Sequence, residues 1–328
     1  MTHRPPEGAR GGGKPPGMIV IALGGNALQP PGERVTIYDQ FRHTRESLTA
    51  VVALAREGWR IAVVHGNGPQ VGDALERNEM AYERVPPLPL GVLVSATAGW
   101  IGYMIQQSLQ NALQHAGVER TVLTTVTQTV VAEGGEALPP TKPIGHQLSD
   151  DERARYERRG VPVGQDGAGR WRRLAPSPIP VDIVEVAAVK RLVREGWIVI
   201  AAGGGGSPVY RDPRLGWEGI DAVVDKDRAA AILADRLNAD TMMILTDVDG
   251  VYRHWGRPDQ RRLDTLSATA AASLLEGDVL GAGSMRPKVE AAVQFVRGGR
   301  RRRAVIAHLR DGPAALRGET GTTIRSDT

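Results

Sequence analysis

The chain has 328 residues, of which 41% are hydrophobic and only 4% aromatic, so it can bury a sizeable core built mainly from aliphatic side chains. Lysine and arginine number 41 against 37 aspartates and glutamates, a mild positive excess that suits a small anionic ligand as well as a nucleic acid. The absence of cysteine excludes disulfides, thiolate nucleophiles and cysteine zinc sites.

The hydropathy of the chain and the composition of its first residues help to predict where the protein is located in the cell. No run of 18 apolar residues occurs, so we expect no membrane span. Residues 1–17 are rich in glycine and proline and lack the apolar segment of a secretory signal, so they are predicted to form a disordered tail outside the fold. The lack of cysteine is compatible with the cytoplasm, which is the predicted location.

The first half of the chain alternates apolar or β-branched runs, which predict strands, with segments of helical spacing. The predicted elements are strand 19–23, helix 44–57, strand 60–64, helix 69–82, helix 96–116 and strand 121–127.

The character of the sequence changes between residues 133 and 180, where proline, glycine and charged residues are frequent and only residues 150–159 have a helical pattern. We interpret this stretch as a small lid inserted into a main domain of residues 18–328. Beyond it the alternation resumes. The predicted elements there are helix 182–195, strand 197–202, helix 226–237, strand 241–246, helix 287–296 and strand 303–308.

Strands that alternate with helices predict right-handed βαβ units and a mainly parallel sheet with helices on both faces, hence the α/β class. Ligands of such sheets bind beyond the carboxyl ends of the strands. Three predicted strands end in glycine-rich turns, namely Gly24-Gly25-Asn26, Gly66-Asn67-Gly68 and residues 203–206. Glycine lets the backbone approach a ligand, and the helix N-termini that follow favour anions, so the turns predict an anion cradle.

The turns match neither common nucleotide-binding fingerprint. The chain contains no GxxxxGK[ST] sequence, which excludes a P-loop enzyme, and no GxGxxG sequence follows a predicted strand, which disfavours a dinucleotide enzyme.

Lysine is rare beside arginine in this chain, so a lysine in a distinctive context indicates a site where arginine cannot serve. Lys142 lies in Thr-Lys-Pro-Ile-Gly, Lys226 in Val-Asp-Lys-Asp and Lys288 in Gly-Ser-Met-Arg-Pro-Lys. A compact ammonium suits the spread charge of a phosphoryl group in transfer, and Asp225 could orient the ammonium of its neighbour Lys226. Lys190 has no such context and is expected to be a surface charge.

Seven segments together resemble the carbamate kinases, a branch of the amino-acid kinase superfamily. The match runs in order from about residue 18 to about residue 324. The segments begin with Ala22-Leu23-Gly24-Gly25-Asn26-Ala27, His65-Gly66-Asn67-Gly68-Pro69-Gln70-Val71-Gly72 and residues 141–145, and continue with residues 201–209, 224–227, 246–252 and 283–288.

The resemblance implies a three-layer αβα sandwich around an open, mainly parallel sheet, with the inserted lid, working as a homodimer. It implies a reversible reaction of carbamoyl phosphate with ADP that yields ATP and carbamate, with Mg²⁺ entering together with ATP or ADP, as in arginine metabolism. The residues themselves, without an apolar span or a recognised nucleic-acid module, predict no membrane partner and no nucleic-acid partner.

The resemblance also implies residue roles. Lys142, Lys226 and Lys288 would surround the transferred phosphoryl group, and Asp225 would hold the lysines. The residues implied at the phosphate and carbamate end are Gly24, Gly25, Asn26, Gly66, Asn67, Gly68, Gly204 and Gly205. Those implied at the nucleotide are Asp247, Val248, Asp249, Tyr252, Met285 and Lys288.

Alternatives remain open at this stage. Another superfamily kinase acting on a small carboxylate would carry a lysine on the first strand, where this chain has Ala22 and Leu23. A nucleotide-binding regulatory protein on the same fold would have lost the three lysines. The arginines at 297 and 300–303 could bind nucleic acid, but a solvated helix end explains them better.

Three polar residues allow a second interpretation. His65 could be catalytic, although a structural hydrogen bond at a strand end is favoured. Asp247 and Asp249 could bind a metal, yet two carboxylates without further ligands favour a turn beside the nucleotide, so no metal ligand of the protein is predicted.

Overall fold

The computed structural model describes residues 16–25, 28–29, 35–132, 138–277, 280 and 285–327. The predicted disordered tail lies outside the described residues except for its last two positions, and Asn26 also lies outside them. None of the described helices is long and apolar enough to cross a membrane.

The described residues form helices and strands in alternation. The helices are α1 (Ile37–Ser47), α2 (Thr49–Arg56), α3 (Gly68–Met80), α4 (Leu90–His115), α5 (Asp150–Arg158), α6 (Val186–Arg194), α7 (Lys226–Leu237), α8 (Ala268–Leu275), α9 (Met285–Arg297) and α10 (Gly312–Arg317). The strands are β1 (Met18–Leu23), β2 (Arg60–His65), β3 (Val122–Thr124), β4 (Gln128–Val131), β5 (Pro140–Ile144), β6 (Val163–Gln165), β7 (Trp171–Pro176), β8 (Pro180–Ile183), β9 (Ile198–Ile200), β10 (Ser207–Asp212), β11 (Gly216–Gly219), β12 (Thr241–Thr246), β13 (Val251–Arg253), β14 (Arg261–Leu263), β15 (Thr265–Ser267), β16 (Arg303–His308) and β17 (Thr322–Arg325).

Eight strands form the central sheet in the order β15-β17-β16-β12-β1-β2-β9-β3. The six strands from β16 to β3 are parallel, with Ile19 of β1 opposite Ile61 of β2 and Thr241 of β12. Strand β17 pairs antiparallel with β16 and parallel with β15. The predicted mainly parallel sheet is therefore confirmed.

Alternate residues of the central strands point to opposite faces of this sheet, as the pleat of a β-strand requires. In β1, Ile19, Ile21 and Leu23 lie in one core with side chains of α2, α4 and α10. Val20 and Ala22 lie in a second core with side chains of α7 and α9. Helices thus cover both faces, which confirms the three-layer αβα sandwich and explains why the strands are apolar throughout.

The described residues also form three smaller sheets. Strands β11-β10-β4-β8 form a four-stranded sheet, and β13 and β14 form a hairpin. Strands β5-β7-β6 form an antiparallel sheet that carries helix α5 between β5 and β6. We call this segment, Pro140–Pro176, the β5–β7 unit; it occupies most of the stretch from 133 to 180 in which the sequence predicted only one helix.

Several predicted boundaries were exact and others were wrong. Helix 226–237 and strands 241–246 and 303–308 coincide with α7, β12 and β16. The predicted helix 182–195 was wrong at its start, because residues 182–183 belong to β8, which pairs with β4. The predicted strand 121–127 ends at Thr124, because the chain then turns to enter the four-stranded sheet as β4.

Candidate active site

The carboxyl ends of the neighbouring parallel strands β1, β2 and β12 meet at one edge of the central sheet. Gly24 and Gly25 follow β1, Gly66 begins the turn after β2, and Asp247 follows β12. These residues line a cleft of about 1950 Å³, and residues of the β5–β7 unit such as Lys142 line its other wall. The predicted ligand site is therefore a cleft between the sheet edge and the β5–β7 unit.

The glycine turns bring backbone close to the site. A side chain at Gly66 would place its Cβ 3.1 Å from Cδ of Lys226, so glycine at this position lets the lysine lie against the turn. Gly204 has a φ of +66°, and a Cβ there would lie 2.2 Å from Nδ2 of Asn67. Asn67 in turn donates to Thr97 Oγ1 over 2.9 Å. Gly24, Gly25, Gly66, Asn67, Gly68 and Gly204 all line the cleft.

Gly205 does not belong to the cleft lining, although the sequence placed it at the phosphate. Its φ is +94°, and a Cβ there would lie 2.3 Å from the carbonyl oxygen of Val224. The glycine therefore permits close packing of the 3₁₀ turn Gly203–Gly205 beneath the start of α7.

Asp225 is the N-cap of helix α7 and binds a lysine from the β5–β7 unit. Its Oδ1 accepts hydrogen bonds from the backbone N–H groups of Asp227 (2.9 Å) and Arg228 (3.2 Å). Its Oδ2 accepts a hydrogen bond of 2.6 Å from Nζ of Lys142. One carboxylate thus fixes the start of α7 and joins it to strand β5.

Asp227, which was not among the predicted site residues, holds the other two lysines. Its Oδ1 lies 2.5 Å from Nζ of Lys226 and its Oδ2 lies 3.3 Å from Nζ of Lys288. We expected Asp225 to orient the ammonium of Lys226, but the direct partner of that ammonium is Asp227. The second acid of Val-Asp-Lys-Asp was the available signal, because Lys226 has a carboxylate on either side of it in the sequence.

Burial and the neighbouring lysines have opposite effects on the pKa values of Asp225 and Asp227. Burial opposes ionisation of Asp225, but the ammonium groups of Lys142 and Lys226 hold its pKa well below its ordinary value. Burial likewise opposes ionisation of Asp227, and Lys226 and Lys288 lower its pKa. Both carboxylates are therefore ionised at neutral pH.

The pKa values of the two buried lysines, Lys226 and Lys288, shift in opposite directions. Burial lowers the pKa of Lys226 despite the attraction of Asp227. Burial also opposes the charge of Lys288, but the carboxylates of Asp227 and Asp225 raise its pKa above the ordinary value. The three lysines of the cluster therefore lie side by side in the cleft, held by two carboxylates, in a position to attract an anion.

The residues predicted at the nucleotide lie around the same cleft, with one exception. Asp247, Val248, Tyr252 and Met285 line it, and so does Trp255, which the sequence analysis did not select. Trp255 is 54% exposed, and its ring lies edge-on to Tyr252 at 5.0 Å between centroids. An exposed indole packed against a half-buried tyrosine in a cleft suits the flat face of a base.

Asp249 is the exception, because it is not part of the cleft lining. Its Oδ1 accepts a hydrogen bond of 2.9 Å from the hydroxyl of Tyr252, and its Oδ2 accepts one of 3.0 Å from Arg262. Asp249 therefore positions Tyr252 rather than facing the cleft itself.

His65 is fully buried at the end of β2 and is not part of the cleft lining. Its Nδ1 donates to the carbonyl oxygen of Gly66 over 3.0 Å. Burial lowers the pKa of His65 to about 4, so the ring is neutral at physiological pH. The structural interpretation of this histidine agrees with its position.

Comparisons with known proteins agree with this architecture. A sequence model of the Amino acid kinase family matches residues 17–308. The carbamate kinase of Pyrococcus horikoshii is 40% identical over 314 residues, which cover 94% of this chain and 99% of the relative. A carbamate kinase from Giardia lamblia bound to citric acid superposes with a TM-score of 0.89 at 33% identity, covering 95% of this chain and 99% of that chain.

A second structure of the Giardia lamblia carbamate kinase, bound to AMP-PNP, has a TM-score of 0.84 at 34% identity over 95% of this chain and 99% of that chain. The similarity extends over the whole fold that bears the cleft, including the β5–β7 unit. The chain is therefore a kinase of the amino acid kinase family and, within that family, belongs to the carbamate kinases.

Proposed function

We propose that the lysine cluster transfers a phosphoryl group reversibly between carbamoyl phosphate and ADP, which yields ATP and carbamate. The observation that carries the proposal is the convergence of Lys142, Lys226 and Lys288 on two ionised carboxylates in one cleft. The three lysines come from β5, α7 and α9, so their convergence is a product of the whole fold.

The cluster suits a reaction without a covalent intermediate. A carbamate oxygen would attack the γ-phosphorus of ATP in line with the departing ADP, or a β-phosphate oxygen of ADP would attack carbamoyl phosphate in reverse. The charge of the phosphoryl group in transfer is spread over its oxygens, and fixed ammonium groups stabilise it. Asp225 and Asp227 would keep the lysines in place before substrate arrives, which removes the need for reorganisation.

The glycine turns would bind the phosphate and carbamate end. Gly24, Gly25, Gly66 and Gly68 expose backbone at the carboxyl ends of β1 and β2, beside Lys226. Helix α3 begins at Gly68, and the N-terminus of a helix favours a bound anion. Asn26, outside the described residues, remains a predicted member of this group.

The nucleotide would lie along Asp247, Val248, Tyr252 and Met285, with Asp249 acting through Tyr252. The Giardia lamblia carbamate kinase bound to AMP-PNP supports nucleotide use. Mg²⁺ would enter with the nucleotide phosphates and neutralise part of their charge. The two carboxylates of the cluster are each bound to a lysine, so phosphate oxygens and water are the fitting ligands for this ion, and Mg²⁺ accepts such a set readily.

Residues 133–180 would act as a lid on the main domain of residues 18–328. The lid would keep Lys142 beside the phosphoryl group and exclude water, which matters because carbamoyl phosphate and carbamate both decompose in water. The family resemblance further supports a homodimer in the cytoplasm that serves arginine metabolism.

The first test is ATP formation from carbamoyl phosphate and MgADP by the wild type, Lys226→Ala and Lys190→Ala. Lys190 is an exposed lysine that donates to the carbonyl oxygen of Arg236 and lies outside the cleft lining, so it provides a matched control. We expect Lys226→Ala to lower kcat by about a hundredfold to a thousandfold and Lys190→Ala to retain wild-type turnover.

A folded wild type that binds ADP but forms no ATP would overturn the proposed reaction. Amino acids and UMP would then be tested as phosphoryl acceptors, which separates another kinase of the same family from a nucleotide-binding regulatory protein.

A further inference from the structure

His146 lies where the β5–β7 unit meets helix α3, and it faces carboxylates of both. Its Nε2 is 3.1 Å from Oε1 of Glu152, which belongs to α5 of the unit. Its Nδ1 is 3.6 Å from Oε2 of Glu76 and 4.0 Å from Oδ1 of Asp73, both on α3 of the sandwich. One imidazole therefore connects the two parts of the molecule through acidic side chains.

The spacing of these groups is that of a metal-binding cluster. One ligand atom from each of Glu76, His146 and Glu152 lies within 4.8 Å of the other two, and this is the one such group among the residues that the structure describes. The three side chains are 30–39% exposed, so small rotations can bring their ligand atoms to the distances of about 2.0–2.2 Å that a zinc ion requires.

The charges of the cluster favour a cation. The carboxylates of Asp73, Glu76 and Glu152 all face the one imidazole of His146. The acidic side chains that contact this ring therefore outnumber it. A divalent ion would supply the missing positive charge at the centre of the cluster.

We propose that Glu76, His146 and Glu152 bind a divalent transition-metal ion of the Zn²⁺ type, with Asp73 as a further carboxylate at its edge. Imidazole with carboxylates is a ligand set for Zn²⁺ and similar ions, whereas Mg²⁺ prefers oxygen ligands alone. The site is therefore chemically distinct from the Mg²⁺ that would enter with the nucleotide.

The ion would fasten the β5–β7 unit to the sandwich. Glu76 is on α3, whereas His146 and Glu152 are on the unit, so an ion shared by all three resists separation of the two parts. Lys142 lies four residues before His146, on strand β5, and contacts Asp225. Occupation of the metal site would hold this lysine against the cluster whether or not nucleotide is present.

The test is a titration of metal-free full-length protein with Zn²⁺ in competition with a chromophoric chelator, without nucleotide or carbamoyl phosphate. We expect the wild type to bind one ion, and His146→Ala and Glu152→Gln each to lower the affinity by about tenfold or more. The matched control is Glu157→Gln, which removes a carboxylate of the same helix α5 that pairs with Arg153 instead. The control should bind as the wild type does.

A second measurement covers the case in which a variant is misfolded. Zn²⁺ should slow amide hydrogen exchange in residues 140–176 of the wild type and leave the exchange of those residues in His146→Ala unchanged, while circular dichroism confirms that both are folded. Equal Zn²⁺ affinity in the wild type and His146→Ala would overturn the site, as would no binding by the wild type. Neither result depends on the proposed reaction, because no substrate is used.

Discussion

The αβα sandwich and the β5–β7 unit both contribute lysines to the cleft, but the central sheet of the sandwich and the unit are stabilised in different ways. Every residue of β1 and β12 is buried, and alternate side chains enter two separate cores. In β5 only Ile144 is buried, and the apolar cluster that it shares with the sandwich is small. Burial of apolar surface therefore stabilises the sheet far more than the unit.

Charged contacts take a larger part in the unit. Asp166 pairs with Arg170 at 3.0 Å, and the guanidinium of Arg153 lies 4.0 Å from the ring centroid of Trp171. Arg173 forms an ion pair with Glu79 of α3. The first two contacts lie within the unit, whereas the pair of Arg173 and Glu79 joins it to the sandwich. The unit therefore depends on polar contacts and a small apolar cluster, whereas the sheet depends on two large apolar cores.

Replacing one buried apolar side chain by alanine in each region should give the largest difference between the sheet and the unit. Ile21→Ala, in the sheet, should lower the free energy of unfolding by about 2–5 kcal/mol, because it opens a cavity between fixed neighbours. Ile144→Ala, in the unit, should change global unfolding in urea less and instead accelerate hydrogen exchange in residues 140–176. Equal losses of global stability would contradict the distinction between the two regions.

The free energy of unfolding should depend on pH because of His65, which is buried at the end of strand β2. Its pKa is about 4 in the folded protein and about 6.5 when exposed, so the folded state favours the neutral ring. As the pH drops from about 6.5 to about 4, the unfolded state binds a proton at this ring while the folded state does not. The free energy of unfolding therefore falls by about 3 kcal/mol over this range. Urea unfolding at several pH values should show this slope, and His65→Gln should reduce it. An unchanged slope in His65→Gln would assign the effect to other groups.

The contact between the unit and α3 should be sensitive to a single methyl group. A Cβ at Gly72 would lie 1.9 Å from Cα of Gly145, so Gly72→Ala must push the unit away from α3. We expect kcat for ATP formation to fall by about a hundredfold while the sandwich stays folded, because Lys142 would be displaced. Gly99→Ala on α4 is the control, since nothing lies within 4 Å of the added Cβ. Full activity of Gly72→Ala would show that the unit tolerates displacement.

The smallest expected effect separates the two functions of Asp225. Asp225→Asn keeps an oxygen for the cap of α7 but loses the charge that holds Lys142, whereas Asp225→Ala loses both. Both variants should lose activity, and the alanine variant should be less stable than the asparagine variant by about 1 kcal/mol in thermal unfolding. Similar stability of the two variants would mean that the cap contributes little to the fold.

Much of the sandwich was readable from the sequence, because fully buried parallel strands must be apolar at every position and their helices must show a 3.6-residue period. Strands β12 and β16 and helix α7 were predicted with their exact boundaries for this reason. The glycine turns and the three distinctive lysines were also recognisable, because their residue types are uncommon in their contexts.

Pairing between distant segments was decided by the tertiary structure. Strand β4 pairs with β8 and β10 outside the central sheet. The residue pattern of a strand indicates how buried it is but does not identify its partner strand, so this pairing could not be predicted from residues 121–131 and 180–183. The β5–β7 unit has half-buried strands without a strong period, so only its helix was predicted.

The arrangement of the site depended on three-dimensional distances in the same way. The sequence determined the α/β class, the glycine turns and the distinctive lysines, because residue type and local spacing carry that information, and its resemblance to the carbamate kinases implied phosphoryl transfer. Only the tertiary structure decided that Lys142 binds Asp225, that Asp227 holds Lys226 and Lys288, and that His146 meets the acids of α3. Except for the contact between the neighbours Lys226 and Asp227, these contacts join residues far apart in the chain, and their geometry exists only after the sheet and the unit have packed together.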